Sequence, residues 1–245
     1  MDLGRLWHRA PASARRRALR ARRWWSRNRP GRRVWWGNLR RSYPFSDHFG
    51  LDRGLPIDRA YIAEFLGRFV GDVHGNVMEM SRSTYADAFG DGRIDTLTIV
   101  DIDEANDRAT LYCDLCEPRT LPPSSFECIL FTQTLHLLPD LAAAVDNLWT
   151  ALAPGGVILM TVPTLSRNDP IGADYWRFTP AGLLRLLTTL LPGDAEIDVS
   201  GYGNALAGAA SFLGLAVEDV GGEHLRRHDP AFPVIVGARV RKSAS

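Results

Sequence analysis

The sequence predicts an α/β fold, a doubly wound and mostly parallel sheet with helices on both faces, preceded by a basic N-terminal extension. Three observations predict it. From residue 56 onward, short apolar runs of β character alternate with stretches of helical periodicity. Polar and acidic residues follow those runs, where an open parallel sheet binds its ligands. Charge is also segregated. Residues 1–41 hold 14 arginines against Asp2 alone, so that segment carries +13 and the remainder −12 in a chain of net charge +1.

A chain of 245 residues is long enough for one sizeable domain and an appendage. We divide it into an extension over 1–48 and an α/β domain over 49–245. In the extension, arginine clusters interleave with Trp24-Trp25 and Trp35-Trp36 and are interrupted at Pro11 and Pro30, a pattern for short helices or for a helix and an arm. Residues 5–41 suit peripheral contact with anionic lipid headgroups or nucleic acid. They equally suit tryptophans packed on the domain with arginines facing water. Lys242 is the single lysine among 29 basic residues, which reflects the codon usage of a GC-rich bacterial genome rather than a chemical requirement.

No stretch reaches the ~18–20 uninterrupted apolar residues of a membrane span, and the N-terminus lacks the apolar core of a secretory signal, so a cytoplasmic protein is expected. Cys113, Cys116 and Cys128 show no disulfide framework and fit a reducing compartment. Cys113 and Cys116 form a C-x-x-C, but with no second pair or histidine pair at ligand spacing no metal is expected.

The elements follow in order. Ile57, Tyr61, Ile62, Phe65, Leu66 and Phe69 recur at three- and four-residue intervals after Pro56, which predicts an amphipathic helix leading into the first strand. Strands are expected over 76–80, 96–102, 109–113, 128–132 and 156–162, and helices over 140–152 and 180–191. The Pro154-Gly155-Gly156 turn is expected to end the first of these helices, because glycine supplies the positive φ of a helix C-terminus. Residues 196–200 and 234–241 read as two strands closing the far edge, with a weakly helical 204–217 between them.

The candidate site residues lie at strand ends. Glu79 ends the first strand, where a carboxylate can accept backbone N–H groups of the next loop, and Ser81 heads that loop. Asp101 and Asp103 compete at the end of the second strand, either being placed to accept two ribose hydroxyls. Asp114 and Leu115 follow the third strand, with a carboxylate for an adenine amino group and a backbone N–H for a ring nitrogen. Thr132 ends the fourth strand, and His136 just beyond it is a candidate general base or else a packing residue. Tyr175, Trp176 and Arg177 stand on the loop after the fifth strand, where flat rings and a guanidinium suit an acceptor. Trp176 could instead anchor the next helix. Tyr202 and Asn204 are expected to line the same mouth.

The succession of acids after strands one and two, Asp114-Leu115, FECILFTQTLHLLPD over 126–140 and LAPGGVILMTVP over 152–163 resembles the class I S-adenosylmethionine-dependent methyltransferases across about residues 56–240. The resemblance implies a Rossmann-like fold and S-adenosyl-L-methionine as cofactor. FGLDRGLPIDRAYI over 49–62 and DYWRFTPAGLLRLL over 174–187 resemble a bacterial subgroup associated with glycosyltransferases and with polysaccharide or glycoside tailoring. That implies a small-molecule acceptor, a sugar, glycoside or other secondary-metabolite hydroxyl, with Arg53 and Tyr61 closing over the cofactor's amino-acid end. One departure is the loop Ser81-Arg82-Ser83-Thr84-Tyr85, which lacks the glycines that let backbone approach a cofactor. The alternative is a catalytically weak or inactive protein that binds through its basic arm. A nucleic-acid methyltransferase is not favoured, for lack of an Asn-Pro-Pro-Tyr-like signature, nor is a dehydrogenase, for lack of G-x-G-x-x-G after the first strand.

Overall fold

Alternation of side chains along each strand explains why both faces of the sheet are covered. In a computed structural model, residues 37–168 and 172–244 are described, so the helix-or-arm expectation for residues 5–41 falls almost wholly outside the described residues. The chain divides into two units, Met1–Ser42 and Tyr43–Ser245. Among the described residues, the first unit contributes one 3₁₀ turn, Gly37–Leu39.

In the second unit, α1 (Ile57–Arg68) starts after Pro56 and buries Ile57, Tyr61, Ile62, Phe65 and Leu66 on one face. There follow β1 (Gly75–Met80), α2 (Thr84–Phe89), β2 (Ile94–Asp101), β3 (Leu111–Tyr112) and β4 (Phe126–Thr132). Next come α3 (Leu141–Ala151), β5 (Leu152–Pro163), α4 (Pro180–Leu190), β6 (Glu196–Tyr202) and α5 (Ala205–Phe212). The short helices α6 (Val217–Val220) and α7 (Gly222–Leu225) precede the last strand, β7 (Ile235–Arg241). No helix among the described residues is long and apolar enough to cross a membrane.

The seven strands form one sheet in the order β3-β2-β1-β4-β5-β7-β6. The first five run parallel, and β7 is antiparallel to both β5 and β6, the strand pair expected at the far edge. The chain runs outward from β1 to β3 and then crosses back to β4. A crevice therefore lies at the carboxyl ends of β1 and β4, where the strand order reverses. Met78, Ile129, Phe131, Ile158 and Met160 face α3 and α4, while Val77, Cys128, Leu130, Val157 and Leu159 face α1 and α5. Gly237 makes room for α1, because a Cβ there would lie 2.5 Å from the ring of Phe65.

Two local expectations are corrected, and one helix is added. The strand expected over 109–113 is only Leu111–Tyr112, since the Thr110 side chain accepts the Ile99 N–H at 3.0 Å at this sheet edge. The Pro-Gly-Gly turn does not end α3. Leu152 turns extended directly after Ala151 and pairs with Phe126. The glycines serve the irregularity that follows: Gly155 has φ +78°, and a Cβ on Gly156 would lie 2.9 Å from the Ala153 carbonyl oxygen. Helix α2 was not anticipated, because its sequence TYADAF has no long apolar repeat and its start is held from elsewhere in the chain.

Candidate functional site

At the end of β1, Glu79 is buried, and its two carboxylate oxygens accept the Tyr85 and Ala86 N–H groups at 2.9 and 2.7 Å. These N–H groups belong to the first turn of α2 and have no partner within the helix. Burial pushes the Glu79 pKa up to about 7, against the opposing pull of the two N–H groups. Ser81 adopts φ +60°, the left-handed conformation usually left to glycine, at a cost of roughly 1 kcal/mol. The loop thus turns sharply without a glycine.

Asp101 is the hub of the next turn. Its Oδ1 accepts the Asp103 N–H at 3.0 Å and its Oδ2 the Asn106 amide at 2.7 Å, while the same amide reaches the Ser81 carbonyl at 2.9 Å. Partial burial alone would raise its pKa. The N–H of Asp103, the Asn106 amide and the Ser81 hydroxyl outweigh it and hold the carboxyl below its usual range. Asp103 is exposed and accepts the Ala105 N–H at 2.9 Å. Asn106 was missed by sequence reasoning because its role depends on joining two partners, the end of β2 at Asp101 and the loop after β1 at Ser81.

Asp114 accepts the Cys116 N–H at 2.8 Å, and Leu115 is buried. Asn147 on α3, also buried, donates to the carbonyls of Leu115 and Glu117 at 2.9 and 2.7 Å and accepts the Thr120 N–H at 3.2 Å. It was likewise missed, although a lone amide on the apolar side of a helix was a usable signal. Cys113 and Cys116 are free thiols.

Thr132 ends β4 opposite Thr161, and a 3₁₀ turn, Leu135–Leu137, carries His136. His136 is buried, its Nδ1 has no partner among the described residues, and burial lowers its pKa to about 4. Asp174 and Arg177 act on it more weakly and in opposite senses. Its carbonyl accepts the N–H groups of Tyr175 and Trp176 at 3.0 and 3.1 Å. An enclosed, neutral imidazole is a weak base, so this arrangement suits holding the loop better than taking up a proton.

The loop itself is structural in most of its side chains. The indole N–H of Trp176 donates to the Leu138 carbonyl at 2.9 Å. Arg177 pairs with Asp174 and also donates to the Trp176 and Arg167 carbonyls and to Asn168 Oδ1, which corrects its expected role as a free binder of acidic groups. Tyr175 remains 54 % exposed and open to a ligand.

Four further expectations are corrected. Tyr202 is buried, with its ring edge-on to Phe65 and His228. Asn204 caps α5 and donates to the His224 and Arg227 carbonyls. Arg53 Nε and Nη2 donate to the two Asp219 oxygens at 2.9 and 2.7 Å, and the buried Tyr61 hydroxyl donates to the Leu225 carbonyl at 3.0 Å. All four have committed their polar atoms or their burial to packing.

Beyond the carboxyl ends of β4 and β5 lies a shallow cleft open to solvent, lined by Phe49, Asp58, Gln133, Ser166, Arg167 and Ser211 among others. Phe49 and Asp58 fall in the 49–62 segment and Gln133 in the 126–140 segment noted in the sequence, but none of the six was read as a site residue, and they come from five separate parts of the chain.

The family model described as a methyltransferase domain matches residues 78–160, a span from inside β1 to inside β5. Among solved structures, an S-adenosylmethionine-dependent methyltransferase from Mesorhizobium loti is 15 % identical, with TM-score 0.52 over 79 % of this chain and 100 % of that one. A second, from Archaeoglobus fulgidus, is 15 % identical, with TM-score 0.50 over 75 % and 94 %. The [4+2]-cyclase SpnF is 16 % identical, with TM-score 0.52 over 83 % and 87 %. These likenesses establish the Rossmann-like fold, and the cyclase among them illustrates that one fold carries more than one reaction. No curated protein matches the chain.

Proposed function

We propose that this chain, whose residues 78–160 match a methyltransferase domain, is a class I S-adenosylmethionine-dependent enzyme that methylates a hydroxyl of a small molecule such as a sugar, a glycoside or another secondary metabolite. The observation that carries the reading is that the matched segment contains three carboxylates, Glu79, Asp101 and Asp114, at or just beyond the carboxyl ends of β1, β2 and β3.

The chemistry of this donor set fits S-adenosyl-L-methionine. The cofactor offers a ribose diol and an adenine amino group as donors and carries positive charge at its sulfonium and ammonium. Asp101 would accept the ribose hydroxyls, which would take the place of weaker donors such as the Ser81 hydroxyl on its carboxylate. Asp114 would accept the adenine amino group, with the backbone at Leu115 held in place by Asn147. Glu79 would fix the loop from Ser81 that borders the cofactor, and Thr132 would line the end of β4. When bound, the cofactor supplies an electrophilic methyl group whose leaving group is a neutral thioether. The chain's own work is to align an acceptor with that group and to exclude water. Tyr175, on the loop held by His136 and Trp176, would cover the acceptor. The free cysteines fit a cytoplasmic protein.

Calorimetric titration with S-adenosylhomocysteine tests the reading. Binding is expected in the wild type, with Asp101→Ala weaker by about 10- to 100-fold, the worth of a lost charge-assisted pair, and Asp103→Ala little changed. Absence of binding in the wild type would overturn it in favour of a protein acting through its basic arm.

A further inference from the structure

We infer that the cleft beyond β4 and β5 is the acceptor site and that the Asp58 carboxylate binds the acceptor hydroxyl and takes its proton. The inference rests on the methyl-transfer reading and assigns it a residue. Gln133, the residue after Thr132, lines the cleft, so the cleft borders the same strand end that the cofactor crevice reaches. Asp58 lies in the first turn of α1, where the helix dipole favours an anion. It opens into the cleft with 29 % of its side chain accessible, and its nearest cation, Arg59, is at 3.9 Å, too far for a close pair. Burial by the surrounding protein raises its pKa, which makes it a better proton acceptor than an ordinary carboxylate. His136, by contrast, is enclosed at Nδ1 and weakly basic.

Opposite polarity is supplied by Arg167. Its guanidinium stacks 4.2 Å from the Phe49 ring centroid, and its Nε is enclosed without a partner among the described residues. Carboxylate, amide, hydroxyl and guanidinium groups around one cleft give both donors and acceptors, the requirement for a hydroxyl-rich acceptor such as a sugar ring. The step balances. The hydroxyl oxygen forms the new O–CH₃ bond as the S–CH₃ bond breaks, the electron pair stays on sulfur, and the hydroxyl proton passes to Asp58 and then to water.

The test is ligand-observed NMR titration of methyl α-D-glucopyranoside and methyl α-L-rhamnopyranoside, with phenol as an apolar comparison, into protein saturated with S-adenosylhomocysteine. At least one glycoside is expected to bind, and Asp58→Asn and Arg167→Ala each to weaken it about tenfold or more while leaving S-adenosylhomocysteine affinity unchanged. Asp58→Glu, which keeps the charge, should recover part of the binding. Where the bound glycoside is methylated, Asp58→Asn should slow turnover about 10²- to 10⁴-fold, the usual worth of a general base, and His136→Asn far less. Three results overturn the inference while leaving methyl transfer standing: no glycoside binds the saturated protein, the Asp58 and Arg167 variants bind glycoside as the wild type does, or Asp58→Asn loses S-adenosylhomocysteine affinity. The last would put that carboxylate on the cofactor's ammonium. Failure of the wild type to bind S-adenosylhomocysteine would remove the methyl-transfer reading itself.

Discussion

Replacing Glu79 with glutamine should change the pH dependence of stability in a direction fixed by its burial. The wild-type carboxyl is buried beneath α2, and its pKa stands at about 7 against 4.5 in the unfolded chain. An acid whose pKa rises on folding holds its proton more tightly in the native state. The stability it confers is fully present below pH 4.5 and is lost as pH rises through about 7. At ~1.4 kcal/mol for each tenfold change in proton affinity, that interval bounds the effect at about 3 kcal/mol. Glutamine is neutral at every pH and cannot contribute to it. Urea unfolding of wild type and Glu79→Gln, followed by tryptophan fluorescence from pH 5 to pH 8, isolates the difference because other titrating groups cancel. The advantage of the wild type over the variant should shrink by up to about 3 kcal/mol across that range. A difference that stays flat or grows with pH would refute the reasoning, because it would mean that the Tyr85 and Ala86 N–H groups outweigh burial and keep Glu79 ionised throughout.

Asn147→Leu removes three hydrogen bonds and strands the carbonyls of Leu115 and Glu117, so a loss of roughly 3 kcal/mol is expected by denaturant unfolding, together with weaker S-adenosylhomocysteine binding as Asp114 loses its support. Asp140→Ala deletes the acceptor for the Ala142 and Ala143 N–H groups at the start of α3 and should cost about 1 kcal/mol with no change in cofactor affinity, measured by the same two methods. His136, with its pKa lowered from 6.5 to about 4, confers stability that is present above pH 6.5 and lost as pH falls toward 4. Its imidazole NMR signals, assigned with His136→Asn, should stay those of the neutral ring down to about pH 5, and a midpoint at 6 or above would contradict its burial.

Much of the fold was legible because it is written in short-range pattern. The spacing of Ile57, Tyr61, Phe65 and Leu66 marks a helix face, the runs around Met78, Val100, Ile129 and Ile158 mark buried strands, and Asp140 and Pro180 mark helix starts. The carboxylates at strand ends followed from the same reading, since a residue at the end of a strand stays there however the strands are ordered. Less was legible where a short segment owes its conformation to a particular side-chain hydrogen bond rather than to a repeating pattern. Helix α2 depends on Glu79, and the choice between Asp101 and Asp103 depends on Asn106 and the turn it braces.

By itself, then, the sequence determined the alternation of strands and helices and the row of acids at the strand ends, because periodicity and covalent order suffice for these, whereas the reversal of strand order after β3 belongs to the folded sheet. Only the tertiary structure decided what the other polar side chains do. Arg53 is spent on Asp219 and Tyr61 on Leu225, partners 166 and 164 residues away, and Arg177 is spent within its own loop. Residues as scattered as Phe49, Asp58, Gln133, Arg167 and Ser211 meet in one cleft. A side chain's spacing along the chain shows which way it faces, but its charge and hydrogen bonds are satisfied by whatever the folded chain brings opposite it.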